Sequence, residues 1–148
     1  MRKGILTLGC LILFIGATAL YGGTSPVGKW KTIDDETGKA KSYVEIYEKD
    51  GVFYGKIMKL IVKEGEDPNP LCDKCKGRFK NKPVVGMVIL WGLKKDGDEY
   101  SGGKIMDPKN GKIYKCLIKV TDGGKKLKVR GYIGFSLIGR NQYWHKAN

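Results

Sequence analysis

The sequence predicts an all-β fold of about eight strands in an antiparallel, up-and-down barrel. Three observations carry this expectation. Short runs rich in β-branched and aromatic residues alternate apolar with polar at a period of two. Turn signals separate neighbouring runs: Asp50-Gly51, Asp96-Gly97, Asn110-Gly111 and Gly123-Gly124. No segment after the N-terminus shows the 3.6-residue apolar spacing of an amphipathic helix. A sandwich would share the strand count, but a closed barrel also removes exposed strand edges.

The strands follow in order. Gly28–Ile33 (GKWKTI) alternates and ends at the turn-rich DDETGK. Tyr43–Tyr47 is short and β-rich, and the hairpin signal Glu48–Gly51 follows it. Val52–Val62 is a long strand, and Gly55 inside it marks a bulge or bend. Val84–Leu93 is the most apolar run, and KKDGDE turns it into Tyr100–Met106. The turn DPKNG leads into Ile113–Val120, where Tyr114, Cys116, Ile118 and Val120 share one face. In Leu127–Ile133, Leu127, Val129 and Ile133 oppose Lys128, Arg130 and Tyr132. Arg140–Lys146 closes the chain.

The first residues are set apart from the fold. Arg2 and Lys3 precede an apolar run from Ile5 to Ile15, and Ala17-Thr18-Ala19 supplies a small-residue cleavage site. This is the layout of a secretory signal peptide over residues 1–19. The run is short for a membrane-spanning helix, which needs about 20 apolar residues, so an uncleaved anchor is the lesser alternative. A lipoprotein signal is disfavoured because Cys10 precedes most of the apolar run. Residues 20–27 then form a flexible lead-in, and residues 28–148 one barrel domain with no membrane span of its own. The expected location is the periplasm or the extracellular space.

The formal charge is +13, and it falls to +11 when Arg2 and Lys3 leave with the signal. Export argues against nucleic acid as the partner. So does the use of scattered lysine rather than arginine, the better bidentate phosphate ligand. The excess charge reads as a solvated face or as attraction to an anionic envelope surface.

Seven motifs recur in a recognisable order: GKW (28–30), DG-x-x-YGKI (50–57), DPNPLCDKC (67–75), KPVVGMVIL (82–90), GGKIMDPKNGKIYKC (102–116), LKVRGYIG (127–134) and GRNQYW (139–144). In this order they resemble the bacterial family of exported proteins called domain of unknown function 2147. The resemblance implies a lipocalin-like barrel and no particular activity. It also implies that Trp30, in a Gly-x-Trp pattern shared with lipocalins, packs beneath a late-strand arginine at the closed end, either Arg130 or Arg140.

The loop from Lys63 to Pro83 is long for a compact domain, so it should be functional, disordered or cross-linked. It carries Cys72 and Cys75 as C-x-x-C. In an oxidising compartment a Cys72–Cys75 disulfide leads. A thioredoxin-like centre lacks the helix N-terminus that would activate its thiol. A closed zinc site usually takes two such pairs or a Cys pair with two histidines, whereas this chain offers one pair, one histidine (His145) and the strand residue Cys116. Cys116 reads as a small buried hydrophobe. No nucleophile elbow, phosphate loop or calcium loop occurs, and no catalytic residue or cofactor is expected. The acidic runs Asp34–Glu36 and Asp96–Glu99 read as solvated turns.

The aromatic residues Trp30, Tyr54, Trp91, Tyr114, Tyr132 and Trp144 fall on expected strands, and Arg130 is the best candidate for a placed charge. They either fill the core or line a pocket inside the barrel. The resulting expectation is a non-enzymatic protein that binds a small apolar or amphipathic ligand. The alternative is a filled barrel that presents the Lys63–Pro83 loop and its lysines to an anionic partner.

Overall fold

The computed structural model describes residues 25–148. The signal-peptide reading of residues 1–19 and the first part of the lead-in lie outside the described residues. Eight strands form one closed antiparallel barrel in sequential order: β1 (Gly28–Ile33), β2 (Ala40–Lys49), β3 (Val52–Leu60), β4 (Val88–Asp96), β5 (Glu99–Asp107), β6 (Lys112–Thr121), β7 (Lys126–Tyr132) and β8 (Gly139–Lys146). β8 returns to β1 through Trp30–Lys146 and Lys31–His145, which closes the ring.

Alternation decides which side chains point inward. Val44 and Ile46 on β2, Leu90 on β4, Cys116 and Ile118 on β6, Leu127 on β7 and Trp144 on β8 are buried in the barrel. Burying a side chain of Leu or Ile size stabilises by about 1.5–3 kcal/mol, so this inner set is the main source of stability. The inner face also holds the edge-to-face pair Phe53–Tyr100, with centroids 4.7 Å apart. An eight-stranded barrel is just wide enough for side chains to fill it or for one small ligand, and this inner face is crowded with side chains. Glycine relieves the crowding: a Cβ on Gly55 would meet Leu90 Cβ at 3.1 Å and Val44 Cγ1 at 3.2 Å. The β3–β4 register shifts on both sides of Gly55, as its place within the strand predicted. Thr32 and Ser42 form the buried polar pair, joined hydroxyl to hydroxyl at 2.8 Å.

One end is made of tight hairpins and the N-terminal segment. Here Pro26, near the end of the lead-in, is packed against the barrel. Pro26 is fully buried, and its carbonyl accepts the Trp30 indole N–H at 2.7 Å. The cation over Trp30 is neither Arg130 nor Arg140 but Lys146, whose Nζ lies 4.7 Å from the ring centroid. Register explains this: Trp30 pairs with Lys146, whereas both arginines sit near the opposite end of their strands. Gly28 begins β1 at φ +134°, a backbone conformation that favours glycine.

The opposite end carries the loops β1–β2, β3–β4, β5–β6 and β7–β8. Strand β4 begins at Val88, not Val84. Val84 and Met87 are buried in the loop instead, in a turn closed by Met87 N–H to the Val84 carbonyl. Pro83 before the run and Gly86 at φ +89° within it interrupt the extended backbone.

Candidate functional site

The concave site lies on the outside of the barrel. On β2 and β3, Tyr47 and Tyr54 are directly opposed across the ladder, and their rings stack at 5.5 Å. Trp91 on β4 extends this aromatic floor, on the face opposite the buried Leu90. The second wall is the β3–β4 loop, which is ordered and doubles back on itself. Cys72 N–H donates to the Lys82 carbonyl at 2.8 Å, and Asn81 N–H to the Cys72 carbonyl at 2.9 Å. The Cys72–Cys75 disulfide pins the turn between them, with Cα atoms 5.4 Å apart. Both sulfurs are buried against the β5–β6 corner, Cys75 Sγ standing 3.6 Å from Met106 Sδ.

From that anchor a 3₁₀ turn, Gly77–Phe79, reaches over the barrel wall. The Phe79 ring packs 5.6 Å from Trp91, and the Arg78 guanidinium lies 4.6 Å from Phe79 and 4.7 Å from Trp91. The result is an open groove of about 620 Å³ between the aromatic floor and the loop, walled further by Lys82, Pro83, Val85 and Met87. A second concavity of about 370 Å³ lies across the Arg78–Phe79 ridge and is bounded by Ile113 and Lys76. The larger groove contains two cations and no carboxylate. Among the described residues, no three His, Cys, Asp or Glu side chains converge as metal ligands would. The arrangement suits noncovalent capture of an apolar body with a negative group.

The family model described as "Uncharacterized protein conserved in bacteria (DUF2147)" matches residues 28–146. The chain belongs to this family. Among solved structures it is similar to one described as "Protein HP1028 from the human pathogen Helicobacter pylori belongs to the lipocalin family". The two share 23% identity over 84% of each chain, with a TM-score of 0.72, so the likeness is one of fold. No curated protein matches the sequence.

The seven candidate residues of this DUF2147 chain do not form one interior pocket. Tyr54 and Trp91 come together, but in the outer groove. Trp30 and Trp144 are core residues, and the Trp144 indole N–H is taken by Gln142 Oε1 at 3.1 Å. Tyr114 is half-buried on the inner face, near the loop end, where its hydroxyl accepts from Asn110 Nδ2. Arg130 and Tyr132 alternate with the buried Leu127 and Val129 and therefore face outward on β7. Arg130 donates to the Ser136 carbonyl and to Asn141 Oδ1 rather than to any aromatic ring. The expectation missed Tyr47, Arg78, Phe79 and Lys82. The signal for the last three was the aromatic and basic run GRFKNK (77–82) beside the disulfide.

Two further expectations resolve here. Cys116 is fully buried and unpaired, and burial pushes its thiol up to about 12. The acidic run at Asp34–Glu36 is more than a solvated turn. Asp34 accepts the backbone N–H groups of Glu36 and Thr37, while Asp35 receives two donors from Arg140 and one from Gln142. The Arg140 hydrogen bonds hold the Asp35 carboxyl below its ordinary range, against a smaller opposing effect of burial. Because β1 and β8 pair through only two residues near the hairpin end, this clamp ties them together at the loop end.

Proposed function

We propose that this protein is an exported, non-enzymatic binding protein that takes a small amphipathic anion in the groove on its outer wall. The observation that carries the reading is the stacked Tyr47–Tyr54 pair and Trp91 facing Arg78 and Lys82 across about 620 Å³. That volume is within the usual range for small-molecule sites. The apolar part of the ligand lies on the aromatic floor, and its charged group meets the two cations. Arg78 is already poised, since its guanidinium is stacked on two rings before any ligand arrives. The N-terminal residues support export, and the ligand is one met in the cell envelope or outside the cell.

The test is a fluorescence titration with 8-anilinonaphthalene-1-sulfonate, which is both aromatic and anionic, supported by native mass spectrometry of protein purified from its own envelope. We expect one saturable site. Tyr54→Ser and Arg78→Gln each weaken it about tenfold, the loss of about 1.4 kcal/mol, while Tyr132→Ser on the far wall leaves it unchanged. Binding that ignores Tyr54 and Arg78, or no binding by either method, refutes the proposal.

A further inference from the structure

The loop between β7 and β8 has no role in the groove and an unusual composition. In Ile133–Ile138 (IGFSLI), Ile133 is 72% exposed, Phe135 78%, Leu137 91% and Ile138 71%. A loop of this length needs polar or turn-forming residues, and Gly134 at φ +76° meets that need. Nothing in the turn requires four large apolar side chains in water. They form a contiguous apolar tip at the loop end of the barrel.

Two cations hold the tip. Lys115 Nζ donates to the Gly134 carbonyl at 3.4 Å, and Arg130 Nε donates to the Ser136 carbonyl. The outer wall that leads to the tip continues this charge. Lys115 pairs with Lys104 on one side and with Tyr132 on the other, and Lys128 follows on β7. At the loop end of β5 and β6, from Lys104 to Lys115, the chain has four basic residues against one acidic. The three acids Asp34–Glu36 are on the β8–β1 side of the same end, and two of them are engaged by Arg140.

We infer that the Ile133–Ile138 loop inserts into the surface of an anionic phospholipid bilayer, with the β5–β7 lysines and Arg130 meeting the headgroups. Apolar side chains at the acyl boundary with basic groups just behind them are the arrangement that interfacial membrane binding requires. The barrel itself does not span. Its outer wall bears Lys31, Glu45, Lys56, Lys104 and Lys128, where a transmembrane barrel presents an apolar band. This inference is independent of the groove, whose occupancy the loop variants leave untouched.

The test uses the chain without residues 1–19 and vesicles of phosphatidylcholine with or without 30% phosphatidylglycerol. We expect cosedimentation with the anionic vesicles that falls at least tenfold in Phe135→Ser/Leu137→Ser, two exposed positions at which folding is checked by circular dichroism. An environment-sensitive fluorophore on Ser136→Cys, with Cys116 shielded by burial, should brighten and shift to the blue on anionic vesicles. Absence of binding overturns the inference. So does binding that the double variant retains, which would be lysine adhesion without insertion. A concentration-dependent dimer that the double variant abolishes, with no vesicle binding, would assign the tip to a second copy of the chain instead.

Discussion

Gly111 tests whether the disulfide loop is part of the fold or merely rests on it. It ends the β5–β6 turn at φ +73°, where its N–H donates to the Asp107 carbonyl at 2.7 Å. A Cβ there would collide with the Lys74 carbonyl, standing 2.6 Å from the Lys74 carbonyl carbon and 3.0 Å from Cys75 Cα. These are backbone atoms inside the disulfide ring, so no side chain can swing aside. Gly51 is the matched control, with φ +76° in the β2–β3 hairpin and nothing within 4 Å of a Cβ. Gly51→Ala carries only the left-handed backbone cost of about 1 kcal/mol. Gly111→Ala carries the same cost plus overpacking of about 1–3 kcal/mol, for a total of about 2–4 kcal/mol. At about 4 °C per kcal/mol for a domain of this size, the melting temperature falls by about 4 °C in the first variant and about 8–16 °C in the second. Urea titration gives the free energies, and limited proteolysis reports whether Lys63–Pro83 has lifted. If Gly111→Ala melts with Gly51→Ala and its loop is cut no faster, the loop is not packed as described.

Two other expectations follow from the electrostatics. Asp35 has a depressed pKa in the folded chain, so its clamp with Arg140 stabilises above the unfolded carboxyl pKa of about 3.9 and is lost as pH falls through the folded value. Arg140 is more than half exposed, so Arg140→Gln should cost only about 0.5–1 kcal/mol at pH 7. The gap between variant and parent urea midpoints should narrow from pH 5 to pH 3, and a constant gap would show that the charge pair is not its source. Cys116, with its thiol pushed up to about 12, should react with 5,5′-dithiobis(2-nitrobenzoate) at pH 8 only when urea unfolds the barrel. Rapid stoichiometric labelling of the native protein would contradict its burial.

The architecture was readable because antiparallel strands with one buried face impose strict alternation, and the hairpins carry their own turn chemistry. Gly28–Ile33 has the expected limits, and most other strands differ by a residue or a few at each end. Val84–Met87 failed because composition alone cannot distinguish a buried loop turn from a buried strand. The site was less legible for a different reason. Pooling the strand aromatics assumed that a barrel's ligand lies inside it. The alternation in LKVRGYI already placed Arg130 and Tyr132 opposite Leu127 and Val129, and therefore outside. The groove itself depends on a loop that folds back across the wall, and no periodic pattern encodes where such a loop lands.

The narrowness of the barrel connects these findings. The strands and inner side chains are packed so closely that glycine is needed at Gly55, beside Leu90 and Val44, and at Gly103, where a Cβ would stand 2.5 Å from the Trp91 carbonyl oxygen and 2.7 Å from Leu93 Cγ. A concave site on such a body must be built by adding a wall outside it. A free 27-residue connection could form such a wall, but ordering it at the moment of binding would consume affinity. The Cys72–Cys75 ring is too short to add much global stability, about 2 kcal/mol by loop-closure entropy. Its value is local: it fixes the turn that docks on Met106 and Gly111, and the rigid turn carries Arg78 and Phe79 to Trp91. The C-x-x-C pair therefore reads as the pin of the groove's outer wall, and the physical role of the disulfide is to order that wall, which under the proposed function is in place before a ligand arrives.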